Sequence, residues 1–354
     1  MIAEFAGEIV RWQKSHGRNS LPWQNTRDPY RIWLSEIMLQ QTQVSTVLDY
    51  YERFLRRFPT VGELAAASQD EVLGLWSGLG YYSRARNLHR CAQEVMALHG
   101  GAFPLAAAQL QTLPGIGRST AAAIASFCSG ERVAILDGNV KRVLTRVLGF
   151  SDDLAQSANE RALWEHATAL LPQDDLHHAM PRYTQGLMDL GATVCTGRQP
   201  QCLLCPVQKL CLSLASGDPS LYPVKTRKLK RSAQALSLLW AQLPDGSVWL
   251  ERRASPGIWG GLYCLPAFDT DEALKALLPE SLHERFEPLP PFVHVLTHKD
   301  LHLSPWVAGF EAGQAIPGAM VSEARPGAWF GPDEWPNLGL PAPIRKLLTQ
   351  DNSG

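Results

Sequence analysis

Residues 113–124 have the sequence LPGIGRSTAAAI, in which a proline and two glycines precede a run of small and apolar residues. Proline and glycine favour a tight turn, and the alanine-rich segment favours a helix that begins at about Arg118. The N-terminus of such a helix, with outward-pointing backbone N–H groups, can hold a phosphate without reading base sequence. Taken alone, the stretch predicts a helical hairpin and leaves phosphate binding open, because many helix–helix turns contain these residues.

A second informative stretch is ILDGNVKRVLTR at residues 135–146. Asp137 follows an apolar run, and basic side chains come after it at Lys141, Arg142 and Arg146. An aspartate before a helix commonly caps that helix. The alternative is a carboxylate at the mouth of a groove, where it would face a cationic sugar transition state while the basic helix holds phosphates. Both interpretations fit this spacing.

Helical periodicity extends to both sides of these stretches. Asp28-Pro29 predicts the start of a helix that continues through RIWLSEIMLQ. Four further segments repeat apolar residues at helical spacing: 43–58, 69–76, 83–98 and 118–128. The N-terminal part of the chain is therefore predicted to be all-α.

The pattern changes after residues 217–233, GDPSLYPVKTRKLKRSA, which combine turn residues, two prolines and a basic run and are predicted to be a linker. Short apolar runs separated by proline and glycine follow it: ALSLLWAQL (235–243), SVWLERR (247–253) and LHLSPWVAGF (301–310). These runs predict strands, with one helix near 271–278, and hence a C-terminal α+β domain.

The composition is that of a soluble globular protein, because 45% of the 354 residues are hydrophobic and 19% are charged. This length predicts two or three domains. No apolar run is long enough to span a membrane, and we see no signal or transit peptide, so we expect an intracellular, reducing compartment.

The formal net charge of -1 conceals an asymmetry, since residues 1–231 carry +5 and residues 232–354 carry -6. Besides the basic group at 141–146, two further groups stand out: Arg84, Arg86 and Arg90; and Lys225, Arg227, Lys228, Lys230 and Arg231. A single basic patch is normally solvated surface, but their concentration in one half is compatible with phosphate contacts.

Four of the seven cysteines occur in one short segment, separated by six, two and five residues: Cys195, Cys202, Cys205 and Cys211. In a reducing compartment, four thiolates this close indicate a metal centre. Zinc sites usually pair two C-x-x-C units, and this segment has one, so the uneven spacing favours a [4Fe–4S] cluster and leaves zinc as the alternative. The other three cysteines have apolar neighbours and are predicted to be core residues: Cys91, Cys128 and Cys264.

Five blocks of the sequence together resemble the helix–hairpin–helix DNA glycosylases of the endonuclease III superfamily, and within it the MutY adenine glycosylase family. The blocks are WLSEIMLQQTQV (33–44), GLGYYSRARNLH (78–89), LPGIGRSTAAAI (113–124), LDGNVKRVL (136–144) and MDLGATVCT (188–196). The resemblance runs nearly end to end. The implied partner is double-stranded DNA with adenine opposite 8-oxoguanine or guanine, bound by a monomer that works in the cytoplasm at the nucleoid and contacts no membrane.

The resemblance also implies a multidomain organisation. Residues 1–216 would form the all-α helix–hairpin–helix glycosylase core, with a six-helix barrel at about 22–130. Residues 1–21 and 131–216 would form a [4Fe–4S] subdomain. After the linker at 217–233, residues 234–354 would form an α+β Nudix-like recognition domain.

The chemistry implied by the resemblance is hydrolysis of the adenine N-glycosidic bond after base flipping. Glu36, in an otherwise apolar helix, would protonate adenine N7, because burial raises the pKa of a carboxyl group. Asp137 would stay ionised and stabilise the oxocarbenium-like sugar, or act as a transient nucleophile. Ser119 stands where bifunctional relatives carry a Schiff-base lysine, which implies a monofunctional enzyme. Ser119 and Asn139 would assist by hydrogen bonding, and Trp23 would line the pocket.

The remaining matches concern contacts with DNA. Gln41 would probe the base stack and Tyr81 would wedge beside the lesion base, while Tyr82 packs in the core. Phosphates would meet the hairpin, the basic segments and the cysteine loop, through Gly115, Gly117, Arg84, Lys141, Arg142 and Arg198. The cluster has no obvious route to the target sugar, so we expect it to shape the loop that carries Arg198.

The segment RRASPGIWGGLYCLPAF at residues 252–268 resembles the Nudix-like domain of the family but lacks the acidic G-x5-E-x7-R-E-x2-E-E box. Nucleotide hydrolysis is therefore not expected. Where the family has a Phe-Ser-His loop that contacts 8-oxoguanine, this chain has Leu296-Thr297-His298. Thr297 and His298 retain a hydroxyl and an imidazole for lesion recognition, and Leu296 lacks the aromatic ring.

The sequence leaves three alternative functions, each with a feature that argues against it. Ser119 argues against a bifunctional glycosylase/lyase, and the presence of both Glu36 and Asp137 argues against a non-catalytic DNA-binding protein with a redox-sensing cluster. The missing acidic box argues against an 8-oxo-nucleotide hydrolase.

Overall fold

The computed structural model describes residues 2–226, 230–254, 257–276, 286–311 and 327–350. The chain forms two compact units. The first comprises Met1–Ala66 and Asn87–Lys228, and the second comprises Ala67–Arg86 and Leu229–Gly354. Across the described ranges, no helix is long and apolar enough to cross a membrane.

The first unit is helical. Its helices are α1 (Ile2–His16), α2 (Pro29–Leu39), α3 (Val44–Arg57), α4 (Val61–Ala66), most of α6 (Ser83–His99), α7 (Ala107–Leu110), α8 (Arg118–Ser129), α9 (Gly138–Leu148), α10 (Ser157–Ala169), α11 (Leu176–Thr193) and α12 (Leu212–Ala215). Short 3₁₀ helices occur at Cys202–Leu204, Gln208–Leu210 and Pro219–Leu221.

Local capping explains why these helices begin and end where they do. The carboxylate of Asp28 accepts a hydrogen bond from the Tyr30 N–H at 3.0 Å, and Pro29 occupies the first helical position, as predicted. Gly130 and Gly149 adopt left-handed conformations that end α8 and α9. The helices predicted at 43–58, 69–76, 83–98 and 118–128 are all present, with ends within one residue of the prediction.

The N-terminal helix packs against the C-terminal part of the first unit. Phe5 of α1 lies edge-to-face on Tyr183 of α11, with ring centroids 6.2 Å apart. At Gly186 a Cβ atom would come within 2.8 Å of the Ile9 side chain, so the glycine allows the close approach of α1 and α11. Residues 217–226 also belong to this unit, since the Leu154 N–H donates to the Val224 carbonyl.

The second unit is built on a mixed sheet. Its strands are β1 (Ser232–Gln242), β2 (Val248–Arg252), β3 (Tyr263–Cys264), β4 (Ala267–Phe268), β5 (Phe286–Pro288), β6 (Phe292–Val295), β7 (Lys299–Gly309) and β8 (Gly327–Phe330). The order is β3-β2-β1-β7-β5, with β4 on β1, β6 on β7 and β8 on β2. β1 and β7 run parallel from Ser232↔Lys299 to Gln242↔Gly309, and the other described pairs are antiparallel.

The sheet is covered on both faces. Leu238 and Trp240 of β1 join a core with Ile344 and Leu348, whereas Leu239 lies in a separate cluster on the other face. Two helices contribute, α13 (Asp271–Lys275) and α14 (Ala342–Gln350). The prediction of one helix near 271–278 is confirmed for its first part, and residues 277–285 lie outside the described residues. The expectation of a single helix was wrong, because the apolar spacing of Ile344 and Leu348 forms α14.

Residues 67–86, which the sequence analysis placed in the helical barrel, pack in the second unit. They include α5 (Gln69–Trp76). The hydroxyls of Ser77 and Tyr82 donate to the Leu340 carbonyl at 2.8 and 2.7 Å. Tyr82 is buried, as expected, but against the C-terminal segment. Within the predicted linker, residues 227–229 lie outside the described residues, and with them Arg227 and Lys228 of the basic run.

Candidate active site

Glu36 and Asp137 both lie in the first unit. Glu36 is on α2 between the buried Ile32, Trp33 and Ile37, and it lines an open cavity of about 730 Å³. Asp137 caps α9, since its Oδ1 accepts a hydrogen bond from the Val140 N–H at 2.7 Å. The two carboxyl groups are close enough for the charge of Asp137 to act on Glu36. The structure thus brings together the two acids that the sequence analysis selected.

The environment of Glu36 favours its neutral form. Burial raises the pKa of Glu36 to about 8, and the charge of Asp137 adds to the rise. The expected direction is therefore present, with burial as the main cause. A carboxyl group in this state carries a proton at neutral pH and can donate it.

Asp137 experiences opposing effects. Burial raises the pKa of Asp137 above the ordinary value of an aspartate, while N–H groups at Val140 and Asn139 and the cations Arg142 and Lys141 lower it. The net direction is upward, so the ionised form is favoured less strongly than the sequence analysis expected. Capping and a catalytic role are compatible, because the start of α9 stabilises the anionic form that catalysis would use.

The cavity beside Glu36 has a buried apolar side and a polar side. Trp23 is buried and lines it, with its ring edge-on to the Tyr51 ring and the two centroids 5.2 Å apart. The Nε2 atom of Gln24 is buried and has no hydrogen-bond partner among the described residues. A cavity of this size and mixed lining is typical of small-molecule sites.

Part of the cavity wall was missed by the sequence analysis. Arg182 and Gln185 of α11 line it, and Gln185 donates to Oδ1 of the buried Asp189 at 2.8 Å. Arg18 holds the same carboxylate through its backbone N–H at 2.9 Å and its Nε at 2.6 Å. Asp189 is the one charged residue in the block MDLGATVCT. That isolated acid was the sequence signal that could have pointed to this part of the cavity wall.

Ser119 and Asn139 support the loop that carries Asp137. The Ser119 hydroxyl accepts a hydrogen bond from the Leu136 N–H at 3.0 Å, immediately before Asp137. The Asn139 Oδ1 accepts one from Arg142 at 2.8 Å. Each side-chain oxygen therefore has a protein partner, and both residues help to position the start of α9.

The hairpin leaves the N-terminus of α8 accessible. Gly115 has a φ of +77°, and a Cβ there would come within 2.7 Å of the Asn87 Cβ, so this turn requires glycine. Gly117 is the N-cap of α8, is exposed, and has open space where a Cβ would lie. This is the geometry expected of a backbone phosphate site.

The two residues predicted to enter the base stack share an unusual backbone. Gln41 and Tyr81 are both exposed and have φ values of 57° and 50°. Non-glycine residues are uncommon in this left-handed region, and such conformations cluster at functional sites. Both side chains are therefore displayed by loops held in strained conformations.

Within the second unit, Tyr81 meets the predicted lesion-recognition loop. The turn between β6 and β7 is closed by a hydrogen bond from the Leu296 N–H to the Lys299 carbonyl at 2.8 Å, which places Thr297 and His298 at an exposed tip. The Tyr81 hydroxyl lies 2.6 Å from the Thr297 Oγ1. Leu296, which departs from the family pattern, packs partly against the core of this unit.

Several basic residues differ from the expectation of solvent-facing phosphate contacts. Arg84 is buried and donates to the Leu79 and Gly80 carbonyls, so it stabilises the loop that carries Tyr81. Arg142 donates to the carbonyls of Cys195 and Gly191, and Lys141 pairs with Glu160. Arg84 and Arg142 thus donate to carbonyls of the protein, and Lys141 pairs with a carboxylate at the surface.

Arg146 is also buried, in contrast to the exposed Arg198. The assignment of Arg146 to a surface patch was therefore wrong. The sequence analysis grouped Arg146 with the neighbouring Lys141 and Arg142 as one basic patch. In the structure, the segment after α11 covers Arg146 and accepts its hydrogen bonds.

The four clustered cysteines line one small cavity. Apart from Arg146 and two glutamines, its walls are mainly apolar, with no carboxylate or imidazole among the described lining residues. Burial raises the pKa of Cys205 to about 12, and the thiols of the other three add to the rise, which shows their proximity. Among the residues that the structure describes, no group of three or more His, Cys, Asp or Glu side chains is close enough together to hold a single metal ion. The all-thiol donor set fits a soft metal centre, whether iron–sulfur or zinc.

The remaining cysteines follow the prediction for core residues, since all three are buried: Cys91, Cys128 and Cys264. Burial also raises the pKa of the Cys91 thiol to about 12, which is typical of an inert structural cysteine.

Comparison with known proteins agrees with this architecture. Residues 34–168 match the family described as HhH-GPD superfamily base excision DNA repair protein, and residues 238–350 match the NUDIX domain family. The all-α helix–hairpin–helix core followed by an α+β Nudix-like domain, predicted from the sequence, is thereby confirmed.

Similarity to individual proteins extends over almost the whole chain. An adenine DNA glycosylase of Buchnera aphidicola is 35% identical over 348 residues, covering 97% of this chain and 96% of that protein. An adenine DNA glycosylase of Mus musculus is 33% identical over 412 residues, covering 98% of this chain and 78% of that protein. Among solved structures, a thermostable thymine-DNA glycosylase is 29% identical with a TM-score of 0.53, covering 60% of this chain and 95% of that one.

Proposed function

Because this chain belongs to the adenine DNA glycosylase family, within the HhH-GPD superfamily of base excision DNA repair proteins, we propose that it removes adenine mispaired with 8-oxoguanine or guanine in duplex DNA. The observation that carries the proposal is the pairing of Glu36, whose pKa is raised to about 8, with an Asp137 held at a helix N-terminus. Two carboxyl groups with opposite protonation are what glycosidic bond cleavage requires. The enzyme would act as a monomer in the cytoplasm, at the nucleoid.

In the proposed reaction, the adenine is flipped into the cavity lined by Trp23 and Glu36. Glu36 donates its proton to N7, so the bond between C1′ and N9 breaks with its electron pair leaving on the base. Asp137 stabilises the oxocarbenium-like sugar, or bonds to it transiently, until water adds at C1′. The ionised Glu36 then takes up the proton that this water releases, which restores its starting state.

We further propose that Cys195, Cys202, Cys205 and Cys211 hold a [4Fe–4S] cluster. Such a cluster would supply a rigid cross-link between segments, and no step of base removal needs it. The cavity that the four cysteines share, with thiols as its candidate metal donors, supports this assignment. Zinc is the alternative occupant, and iron content distinguishes the two.

The absence of a lysine at position 119 predicts base removal without strand cleavage. In a duplex with adenine opposite 8-oxoguanine, we expect strand breaks only after alkali treatment of the product, and no borohydride-trapped complex. Single-turnover assays read with and without alkali test this. Breaks without alkali would indicate lyase activity and overturn the monofunctional assignment.

The contact between Tyr81 and Thr297 predicts a role in lesion selectivity. Thr297→Val keeps the side-chain shape and removes the hydroxyl, so we expect the preference for adenine opposite 8-oxoguanine over adenine opposite guanine to fall about tenfold. Tyr81→Phe keeps the aromatic ring for stacking and removes the hydroxyl that contacts the Thr297 Oγ1. The ratio of single-turnover rates on the two duplexes is the measurement.

A double-mutant cycle provides the control. If the Tyr81 hydroxyl orients Thr297, the double variant should lose no more selectivity than either single variant. Additive losses would mean that the two hydroxyls act separately, and an unchanged ratio in all three variants would remove Thr297 from lesion recognition.

A further inference from the structure

Arg146 carries a charge in a place shielded from water. It belongs to the last turn of α9, is 1% exposed, and is one of the largest fully buried side chains of the described residues. A guanidinium stays protonated inside proteins. Since burying a charge is costly unless partners compensate for it, the surroundings of Arg146 should indicate what offsets that cost.

Four acceptors surround the guanidinium. Nη1 donates to the Thr196 carbonyl at 2.6 Å and to the Cys195 Sγ at 3.3 Å. Nη2 donates to the Gly197 carbonyl at 3.0 Å, and Nε donates to the Tyr222 carbonyl at 3.2 Å. Three acceptors are neutral carbonyls, and the fourth is a thiol of the cysteine cavity.

No carboxylate among the described residues forms an ion pair with Arg146. Asp218 is within electrostatic reach, but it is exposed and its oxygen accepts a hydrogen bond from the Ser220 N–H at 2.7 Å. Arg142 adds a second cation nearby, and its own guanidinium also donates to carbonyls. Within the described ranges, the buried positive charge of Arg146 therefore has no comparably buried carboxylate as a partner.

We propose that Arg146 is the counter-ion of the thiolate centre at Cys195, Cys202, Cys205 and Cys211, and that it also clamps the loop between Cys195 and Cys202. The inference rests on the proposed iron–sulfur cluster. Thiolates bound to a cluster leave it with net negative charge, and Arg146 lines the same cavity. In a site with apolar walls, that charge and the guanidinium stabilise each other strongly.

Arg146 can hold the loop between Cys195 and Cys202 because two of the carbonyls it bonds belong to that loop. Thr196 and Gly197 immediately precede the exposed Arg198, and a single side chain bonds both of their carbonyls. The Thr196 hydroxyl closes the loop further by donating to the Gln199 carbonyl at 2.8 Å. Arg146 therefore acts as a positioning residue, which ties the metal centre to the loop proposed to contact phosphates.

The test compares Arg146→Gln, which removes the charge, with Arg146→Lys, which retains it but cannot bond four acceptors. Arg161→Gln is the control, because Arg161 is exposed on α10. The full chain is purified without oxygen, and iron per chain, reduction potential and the salt dependence of binding to undamaged duplex are measured. None of these readouts requires glycosylase activity.

With Arg146→Gln we expect a more negative reduction potential, because the reduced and more anionic cluster loses its counter-ion. We also expect faster loss of iron in air. With Arg146→Lys the potential should stay near that of the original protein, while DNA affinity falls several-fold because the loop is no longer clamped. Arg161→Gln should change none of the three.

A failure of the cluster assignment and a failure of the role given to Arg146 would give different results. Zinc or no metal in the original protein would refute the cluster, and with it the counter-ion. An iron-containing protein whose potential, iron retention and DNA binding are unchanged in Arg146→Gln would overturn the inference about Arg146 alone. If Arg146→Gln does not fold, Arg146→Lys decides, since a shifted potential or undiminished DNA affinity in that variant contradicts the proposal.

Discussion

Asp137→Asn is expected to lower the single-turnover rate of adenine release about 10³-fold or more, without lowering the stability of the protein. The loss follows because an amide cannot supply the negative charge that stabilises the oxocarbenium-like sugar, nor act as a nucleophile. Stability is retained because asparagine caps a helix as well as aspartate does, so the Val140 N–H keeps its acceptor. Adenine release from a duplex with adenine opposite 8-oxoguanine is the measurement, accompanied by thermal unfolding.

Asp28→Asn is the matched control, because Asp28 also caps a helix with its carboxylate, at the start of α2. It should leave both the rate and the unfolding temperature nearly unchanged. If Asp137→Asn keeps its rate within tenfold of the original protein, Asp137 has no part in bond cleavage. If the rate and the unfolding temperature fall together, Asp137 is mainly a structural cap.

The helices were predictable because their signals are local. The Asp28-Pro29 pair, the apolar spacing of 43–58 and the turn residues before Arg118 each act over a few residues, and α2, α3 and α8 appear where these signals occur. The apolar run at 235–243 similarly predicted a strand, and β1 contains most of it. Asp137 stood out as an acid after an apolar run, whereas Glu36 was selected through the resemblance to the glycosylase family.

Other features depend on contacts between distant segments. No pattern at Tyr81 indicates that its hydroxyl reaches Thr297, 216 residues further along the chain. Basic spacing on α9 could not distinguish Lys141, which pairs at the surface, from the buried Arg146. A count of charges says nothing about which backbone carbonyls come to surround them, so exposure of arginines was overestimated.

Glu36 shows how function and stability conflict at one residue. Glu36→Gln is expected to slow adenine release by about 10²–10⁴-fold, because glutamine has no proton to give to N7. In the original protein the rate should fall as pH rises through about 8, where Glu36 loses its proton, and this alkaline limb should be absent from the residual activity of the variant.

The same substitution is expected to stabilise the protein at neutral pH. The pKa of Glu36 is raised from 4.5 to about 8 in the folded state, so between these values folding requires uptake of a proton that the unfolded chain has released. The contribution of Glu36 to stability is therefore complete below pH 4.5 and is lost as pH rises towards 8. Glutamine stays neutral throughout, so Glu36→Gln should be more stable by roughly 3 kcal/mol at pH 7 and nearly equal to the original protein at pH 4.5.

Denaturant unfolding at several pH values, with Glu165→Gln as control, separates this effect from a general loss of charge. Glu165 is exposed on α10, so its substitution should leave the pH dependence of stability unchanged. A Glu36→Gln variant that is inactive but shows no gain in stability at pH 7 would mean that Glu36 is ionised in the folded protein. In that state it could not be the acid that protonates adenine, and the proton would have to come from water or another group in the cavity.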